Sequence, residues 1–270
     1  MQKCSLLLDG HVHLYPHYNL ETAIQIGTTN LQSGLKNTNI KSVKNLFTVW
    51  LLTERFDCNF FKTVYESPQN HTVNGYNFVP SAEKEALMIE QKGAVTHFLL
   101  AGRQVVSKDG LEVLALATAE FIKDREYTTS ELIDKVNEVG GIPVLNWAPG
   151  KWFFQRGKIV AQMIEKKKPD EFVIGDNPLR HSLWPEPALM KKAINKGFKV
   201  IAGSDPLPFK GEERFIGSYG FHIQGKFDAT KPASSIRQLI KNSQKTVDIL
   251  GKRNDPFTFF YRETRIMAKK

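Results

Sequence analysis

The sequence predicts an α/β protein built on a mostly parallel sheet, open or closed into a barrel. Three observations lead there. Short apolar, β-branched runs alternate with longer amphipathic stretches along the chain. Nearly every apolar run is followed by charged or amide side chains, and the carboxyl ends of strands are where such sheets bind ligands. The length of 270 residues suits one such unit, since barrels of about 250 residues occur as single domains.

The elements follow in order. Leu6-Leu7-Leu8 lies in a first strand over 5–9, stopped by Gly10. A β-branched and aromatic run over 46–53 is the second, and Phe78-Val79 marks a third. Residues 97–106 and 111–117 are two strong strands around the turn Ser107-Lys108-Asp109-Gly110, either a hairpin or two barrel strands. Runs over 142–145, 172–174 and 198–202 complete the set. Helices are expected over 81–92, over 129–139 up to Gly140-Gly141, over 158–167 before Pro169, and over 186–195 before Lys196-Gly197. The longest spans 233–250, with Ile236, Leu239, Ile240, Val247 and Leu250 on one side. No fixed-period repeat or low-complexity linker interrupts the chain, which reads as one domain over 1–270 with a helical C-terminal extension from about residue 230.

Composition narrows the function. The chain is 41% hydrophobic and 24% charged, which excludes disorder and fibrous classes. Cys4 and Cys58 are too few for a disulfide framework or a Cys-rich zinc site, and they fit a reducing compartment. The apolar run at Leu6 is stopped by Asp9, too early for a secretory signal, and no stretch approaches the roughly 18 apolar residues of a membrane span. A cytoplasmic protein with no membrane partner is expected, so the triplet Asn70-His71-Thr72 is a chance sequon. Lys and Arg number 37 against 28 Asp and Glu, a net charge of +9. The runs Lys166-Lys167-Lys168 and Lys269-Lys270 read as solvated. With no zinc-finger or aromatic-interleaved RNA-binding pattern, nucleic acid is a possible partner but not the favoured one.

The chemistry gathers at the strand ends. The first strand releases Asp9-Gly10-His11-Val12-His13. Residues at i and i+2 of a strand share a face, so His11 and His13 can chelate a divalent cation, whereas in a loop they would be two exposed histidines. Asp205, after Ala202-Gly203-Ser204, can complete a two-His, one-carboxylate site or serve as base toward its water, or it can be a turn residue before Pro206. Arg103, Lys151, Arg156 and Arg180 all lie at or just past strand ends, a pattern suited to a phosphate or carboxylate group. His181 is a spare ligand or acid beside Arg180, and Asp176 can orient that arginine. Trp147 and Trp152 read as packing at the sheet mouth.

Asp9-Gly10-His11-Val12-His13, the run 140–145 and Ala202-Gly203-Ser204-Asp205 fall in the order seen in PHP (polymerase and histidinol phosphatase) domains. From Leu6 to Asp205 the chain resembles that family, which belongs with the amidohydrolase-like metal-dependent hydrolases. The resemblance implies a single distorted TIM-like (β/α)7 barrel domain, up to three metals, and phosphoester cleavage. The departures are specific. Gly102-Arg103-Gln104 has Gln where the family has Glu, and Glu112 stands where a His is expected before the next strand. Asn146-Trp147-Ala148-Pro149 replaces Ala-His-Pro, and Asp205-Pro206-Leu207 replaces Asp-x-His. The trinuclear site therefore does not carry over; His11, His13 and Asp205 do, with Glu112 or Asp176 as a further ligand.

The expected function is a metal-dependent hydrolase of a small anionic, phosphorylated substrate acting through metal-activated water. One divalent ion, zinc or manganese, would sit on His11, His13 and Asp205. Asp205 and His181 would be catalytic, and Arg103, Lys151, Arg156 and Arg180 would bind the anion. Two alternatives remain: a ligand-binding protein that has lost its metals, and a nucleic-acid-associated nuclease.

Overall fold

The structure, a computed structural model, describes residues 2–38, 40, 45–71, 73–243 and 247–268. The Lys269-Lys270 tail, Thr72 of the sequon and part of the expected 233–250 helix lie outside them. In chain order the elements are β1 (Gln2–Val12), α1 (Leu20–Lys36), β2 (Leu46–Leu52), α2 (Phe60–Glu66), β3 (Tyr76–Pro80), β4 (Ala86–Gln91), β5 (Ala94–Leu100), β6 (Gly102–Val106) and β7 (Glu112–Leu116). There follow α3 (Thr129–Glu138), β8 (Ile142–Asn146), α4 (Phe154–Lys166), β9 (Val173–Asp176), α5 (Ala188–Lys196), β10 (Val200–Ala202), β11 (Tyr219–Phe227), α6 (Pro232–Asn242), β12 (Asp248–Gly251) and α7 (Pro256–Ala268).

The strands do not close into the expected (β/α)7 barrel. They form a seven-stranded sheet, β12-β11-β1-β2-β5-β4-β3, and a five-stranded sheet, β10-β9-β8-β7-β6. Each has a parallel centre, β1-β2-β5 and β8-β9-β10, extended by antiparallel strands. The physical reason is edge occupancy. Along Ser5–Leu8 both edges of β1 are taken, by β11 and β2, and β2 is likewise held between β1 and β5. The second sheet therefore meets the first only beyond those paired stretches. On one side Glu54 N–H donates to Gly102 O and Gln104 N–H to Glu54 O; on the other Asp205 N–H donates to His11 O at 2.9 Å.

Alternation along the strands divides the core into three. Leu6, Leu8, Val49, Leu51, Phe98 and Leu100 of the first sheet meet Leu114, Leu116, Ile142, Val144 and Ile201 of the second. Leu7, Trp50, Leu52 and Leu99 face the other way, under α1 and α2. Val113, Ala115, Leu145 and Ile174 back onto α3, α4 and α5. Each fully buried aliphatic side chain contributes about 1.5–3 kcal/mol. Helix ends match their sequence signals where these are strong: Thr128 and Glu131 form a capping box on α3, and Gly197 ends α5 in the left-handed region.

Several expected elements differ. The segment 81–92 is a turn followed by β4, because Leu87 and Ile89 face one core and Ala86 and Met88 the other, a run buried on both faces. Glu83 there accepts the Ala233 and Ser234 amides and so caps α6 instead. The run 97–106 belongs to two strands that change sheets at Ala101. The helix expected over 233–250 ends at Asn242, and β12 joins β11. Helices α1 and α2 and strand β11 have no counterpart among the expected elements, and α7 falls within the expected helical C-terminal extension. No helix of the described residues is long and apolar enough to cross a membrane.

His97 on β5 supplies a test of the packing under α1. It is buried, with Thr28 Oγ1 at Nε2 and Thr96 Oγ1 at Nδ1. Burial lowers its pKa to about 4, against 6.5 when exposed. Its contribution is therefore complete above pH 6.5 and is lost as pH falls toward 4, up to about 3 kcal/mol. Urea midpoints of the wild type should drop between pH 7 and pH 4.5, and His97→Gln should flatten that drop.

Candidate metal centre

The His-x-His pair is aimed by a bulge. Asp9 pairs with Trp50 and Val12 with Leu52, so β1 carries three steps for two of β2. Leu7 and Val12 consequently share the α1-side core although their spacing along the chain is odd. His11 and His13, flanking Val12, fall on the face of Leu6 and Leu8, toward the core between the sheets. Asp9 locks the bulge. Its carboxylate accepts from the amides of His11, Ser204 and Gly217 at 3.1, 2.8 and 2.8 Å, and from Ser204 Oγ. Burial outweighs those donors and lifts its pKa to about 6. Gly203 is required beside it, because a Cβ there would stand 2.3 Å from both His11 Cβ and His11 N.

These constraints bring three ligand-type side chains together. His11 Nε2 lies 3.0 Å from His13 Nε2 and 3.4 Å from Asp205 Oδ1, and His13 Nε2 lies 3.5 Å from the same oxygen. Tetrahedral ligands at zinc bond lengths stand about 3.3 Å apart. The amide of Gln104 adds Oε1 at 3.1 Å from His11 Nε2. One imidazole nitrogen can share only one proton, so three neighbours converging on His11 Nε2 match a common cation better than a set of hydrogen bonds.

The electrostatics agree with that reading. Burial pushes the His11 pKa down, so its imidazole is neutral and offers a lone pair at neutral pH. Burial pushes the Asp205 carboxyl up, but His11, His13 and the Arg262 guanidinium outweigh it and hold it below its ordinary value. Asp205 adopts φ 47°, a region uncommon for residues other than glycine. Asn177 Nδ2–H donates to its Oδ2 at 3.0 Å, and Arg262 Nη2–H to its main-chain oxygen at 2.9 Å.

The chain was compared with known proteins. No protein-family model matches it, and no curated protein matches it. Among solved structures it is similar to PsfC from Pseudomonas syringae PB-5123, with a TM-score of 0.59 and 13% identity over the whole of both chains. That likeness is one of fold.

The other expected site residues are dispersed. Glu112 shares the inward face with Leu114 and Leu116, acts on His11 electrostatically, and pairs with Lys151 Nζ at 3.3 Å. Arg180 is buried and holds Asp176 through Nε and Nη2, so it is committed to that carboxylate rather than to a guest anion. Arg103 turns to the opposite face of β6 from Gln104. It donates to Asn59 Oδ1 and Arg55 O, packs on Phe121, and lines a cavity of about 430 Å³ with Glu54 and Phe61. Arg156 donates to Gly150 O. His181 packs against Trp184 and Phe259 and is not in the His11–His13–Asp205 group. Trp147 and Trp152 are buried, as packing requires.

Residues the sequence did not single out complete the surroundings. Tyr15 stacks on His13 with ring centroids 5.5 Å apart and is hydrogen-bonded by Arg55. Asn177 lies in the 175–181 strand-end run and was visible there; Arg262 carries no local signal at all. Because the close approach at Gly203 is to backbone, Gly203→Ala should lower stability by at least about 1–3 kcal/mol. Urea unfolding measures this, and zinc uptake should fall with it.

Proposed function

We propose that the protein binds one divalent cation, zinc or manganese, at His11, His13 and Asp205 and is a metal-dependent hydrolase of a small anionic, phosphorylated substrate. The observation that carries this reading is the triangle of 3.0, 3.4 and 3.5 Å formed by two imidazole nitrogens and one carboxylate oxygen. Two imidazole nitrogens and one anionic oxygen suit a catalytic ion that keeps an open position. A second observation favours a polar guest nearby. Asn146 follows Ile142 and Val144 on the inward face, and both its amide atoms are buried with no hydrogen-bond partner among the described residues.

A divalent ion held there would activate water for attack and offset charge developing on the substrate. The chain's own residues supply the rest. Asp205 holds its carboxylate toward both imidazoles while Asn177 fixes its second oxygen. Lys151, paired with Glu112, and Arg55, paired with Asp57 and acting on Tyr15, are cations that suit an anionic substrate. The apolar core below the histidines keeps bulk water from the ligands' inner side. The buried thiols Cys4 and Cys58 support a cytoplasmic setting. The PHP resemblance supports phosphoester cleavage, with fewer ligands than that family uses.

The test is direct. Chelator-stripped protein should take up one zinc or manganese ion by titration. His11→Ala, His13→Ala and Asp205→Asn should each weaken uptake by roughly a hundredfold or more, at the upper end of what loss of a supporting residue costs. Phosphoester hydrolysis should require the ion and be lost in the same variants. Wild-type protein that binds neither metal, or hydrolysis unchanged in His11→Ala, would refute the assignment.

A further inference from the structure

The C-terminal helix reaches the metal centre through one side chain. Arg262 on α7 is fully buried, as is its partner Glu212. Its Nε–H donates to Glu212 Oε2 at 3.1 Å, and its Nη2 stands 2.8 Å from the same oxygen. Nη2–H also donates to Asp205 O at 2.9 Å. The guanidinium lies over the Phe215 ring, 4.6 Å from its centroid. Glu212 in turn accepts from Leu207 N–H at 3.2 Å. Arg262 and Glu212 thus clamp both ends of the short segment 205–207.

That segment needs clamping. Asp205 sits at φ 47°, where a β-carbon crowds the backbone. Such conformations persist only where the surroundings over-determine them. The contacts at Asp205 do so from three directions: His11 O takes its N–H, Asn177 takes its carboxylate, and Arg262 takes its carbonyl. The first two come from strand ends of the sheets. Arg262 alone comes from outside them, more than fifty residues along the chain. A guanidinium suits this task because its planar fork can bind a carboxylate and a carbonyl together.

We propose that Arg262 is a positioning residue of the metal centre: it fixes Asp205 in the left-handed conformation that turns its carboxylate toward His11 and His13, which makes α7 part of the site. This rests on the metal-centre reading above. It also gives a role to the region beyond Asp205, where the resemblance to metal-dependent hydrolases ends.

The experiment uses the full chain with Arg262→Met, which keeps much of the side chain's bulk, and Arg262→Lys, which keeps the charge. Because Glu212 would be left with the longer Arg265 contact at 3.5 Å, a poorly compensated buried charge that could unfold the protein, Glu212→Gln combined with Arg262→Met is the second variant. Arg262→Met should bind zinc at least about tenfold more weakly than the wild type. Its cobalt(II) complex should show an altered ligand-field spectrum, with Arg262→Lys intermediate. Hydrogen exchange should accelerate over 203–209 and not over β1 and β2. Zinc affinity and cobalt spectrum equal to wild type in both Arg262→Met variants would overturn the proposal, as would uniform acceleration across the sheets. Failure of the wild type to bind either metal would overturn the metal-centre reading itself. Exchange then decides the hold on Asp205 separately: local acceleration supports it, and none overturns it.

Discussion

Between Asp9 and Val12, β1 places three residues against two of β2, and the buried Asp9 carboxylate holds that extra residue in place. Without the bulge, strict alternation would put His11 and His13 on the face of Leu7, under α1, and Val12 in the core between the sheets. The same carboxylate ties the end of β10 and the lead into β11 to β1, through Ser204 and Gly217. One side chain therefore sets both the orientation of the two imidazoles and the approach of the strand that delivers Asp205. Gly203 is part of the same constraint, since only a residue without a β-carbon lets β10 come against His11.

The cost of this arrangement is distributed over its neighbours. Two imidazoles and a carboxylate are held at the top of an apolar core, where an unpaired charge is expensive. The site limits that expense by keeping His11 neutral and by setting the permanent charge of Arg262 behind Asp205. The strained Asp205 backbone is held by three hydrogen bonds from separate parts of the chain. Asn146 is an exception, a buried amide without a partner among the described residues, as are single nitrogens of His11 and Arg262. Such a group costs about 1–3 kcal/mol, and Asn146 lies on the inward face that the ligands share.

The legible parts of the sequence were those with local causes. The apolar runs gave most strands, and Gly140 and Gly197 marked helix ends because capping is a matter of a few adjacent residues. His11, His13 and Asp205 were legible because each directly follows an apolar run, and strand ends of both sheets converge. What was not legible depended on distant partners. Residues 86–89 resemble a helix until both faces are known to be buried, and the role of Glu83 as a cap for α6 has no signal in its own segment. Arg103 looked available for an anion because Asn59 and Phe121 could not be placed beside it, and Arg180 because an orienting Asp176 was foreseen without its taking up the whole guanidinium fork. Arg262 had no signal, since its meaning depends on a turn at Asp205 and on Glu212.

The barrel expectation failed while the convergence of the three ligands held, and the two outcomes have one explanation. A metal centre of this kind needs a few strand ends to meet, not a closed ring of hydrogen bonds. Here β1 and β10 meet at the Asp205–His11 bond, and β2 and β6 meet at the Glu54–Gly102 and Gln104–Glu54 bonds. His11, His13 and Asp205 stand at the first seam, and Gln104 reaches His11 from the second. Beside the seams β1 pairs with β11 and β5 with β4 instead, and β12 and β3 extend the sheet beyond them. Departure from the barrel is therefore concentrated where strands pair laterally, and the meeting of His11, His13, Asp205 and Gln104 depends on the two seams, with Arg262 holding Asp205 from outside them.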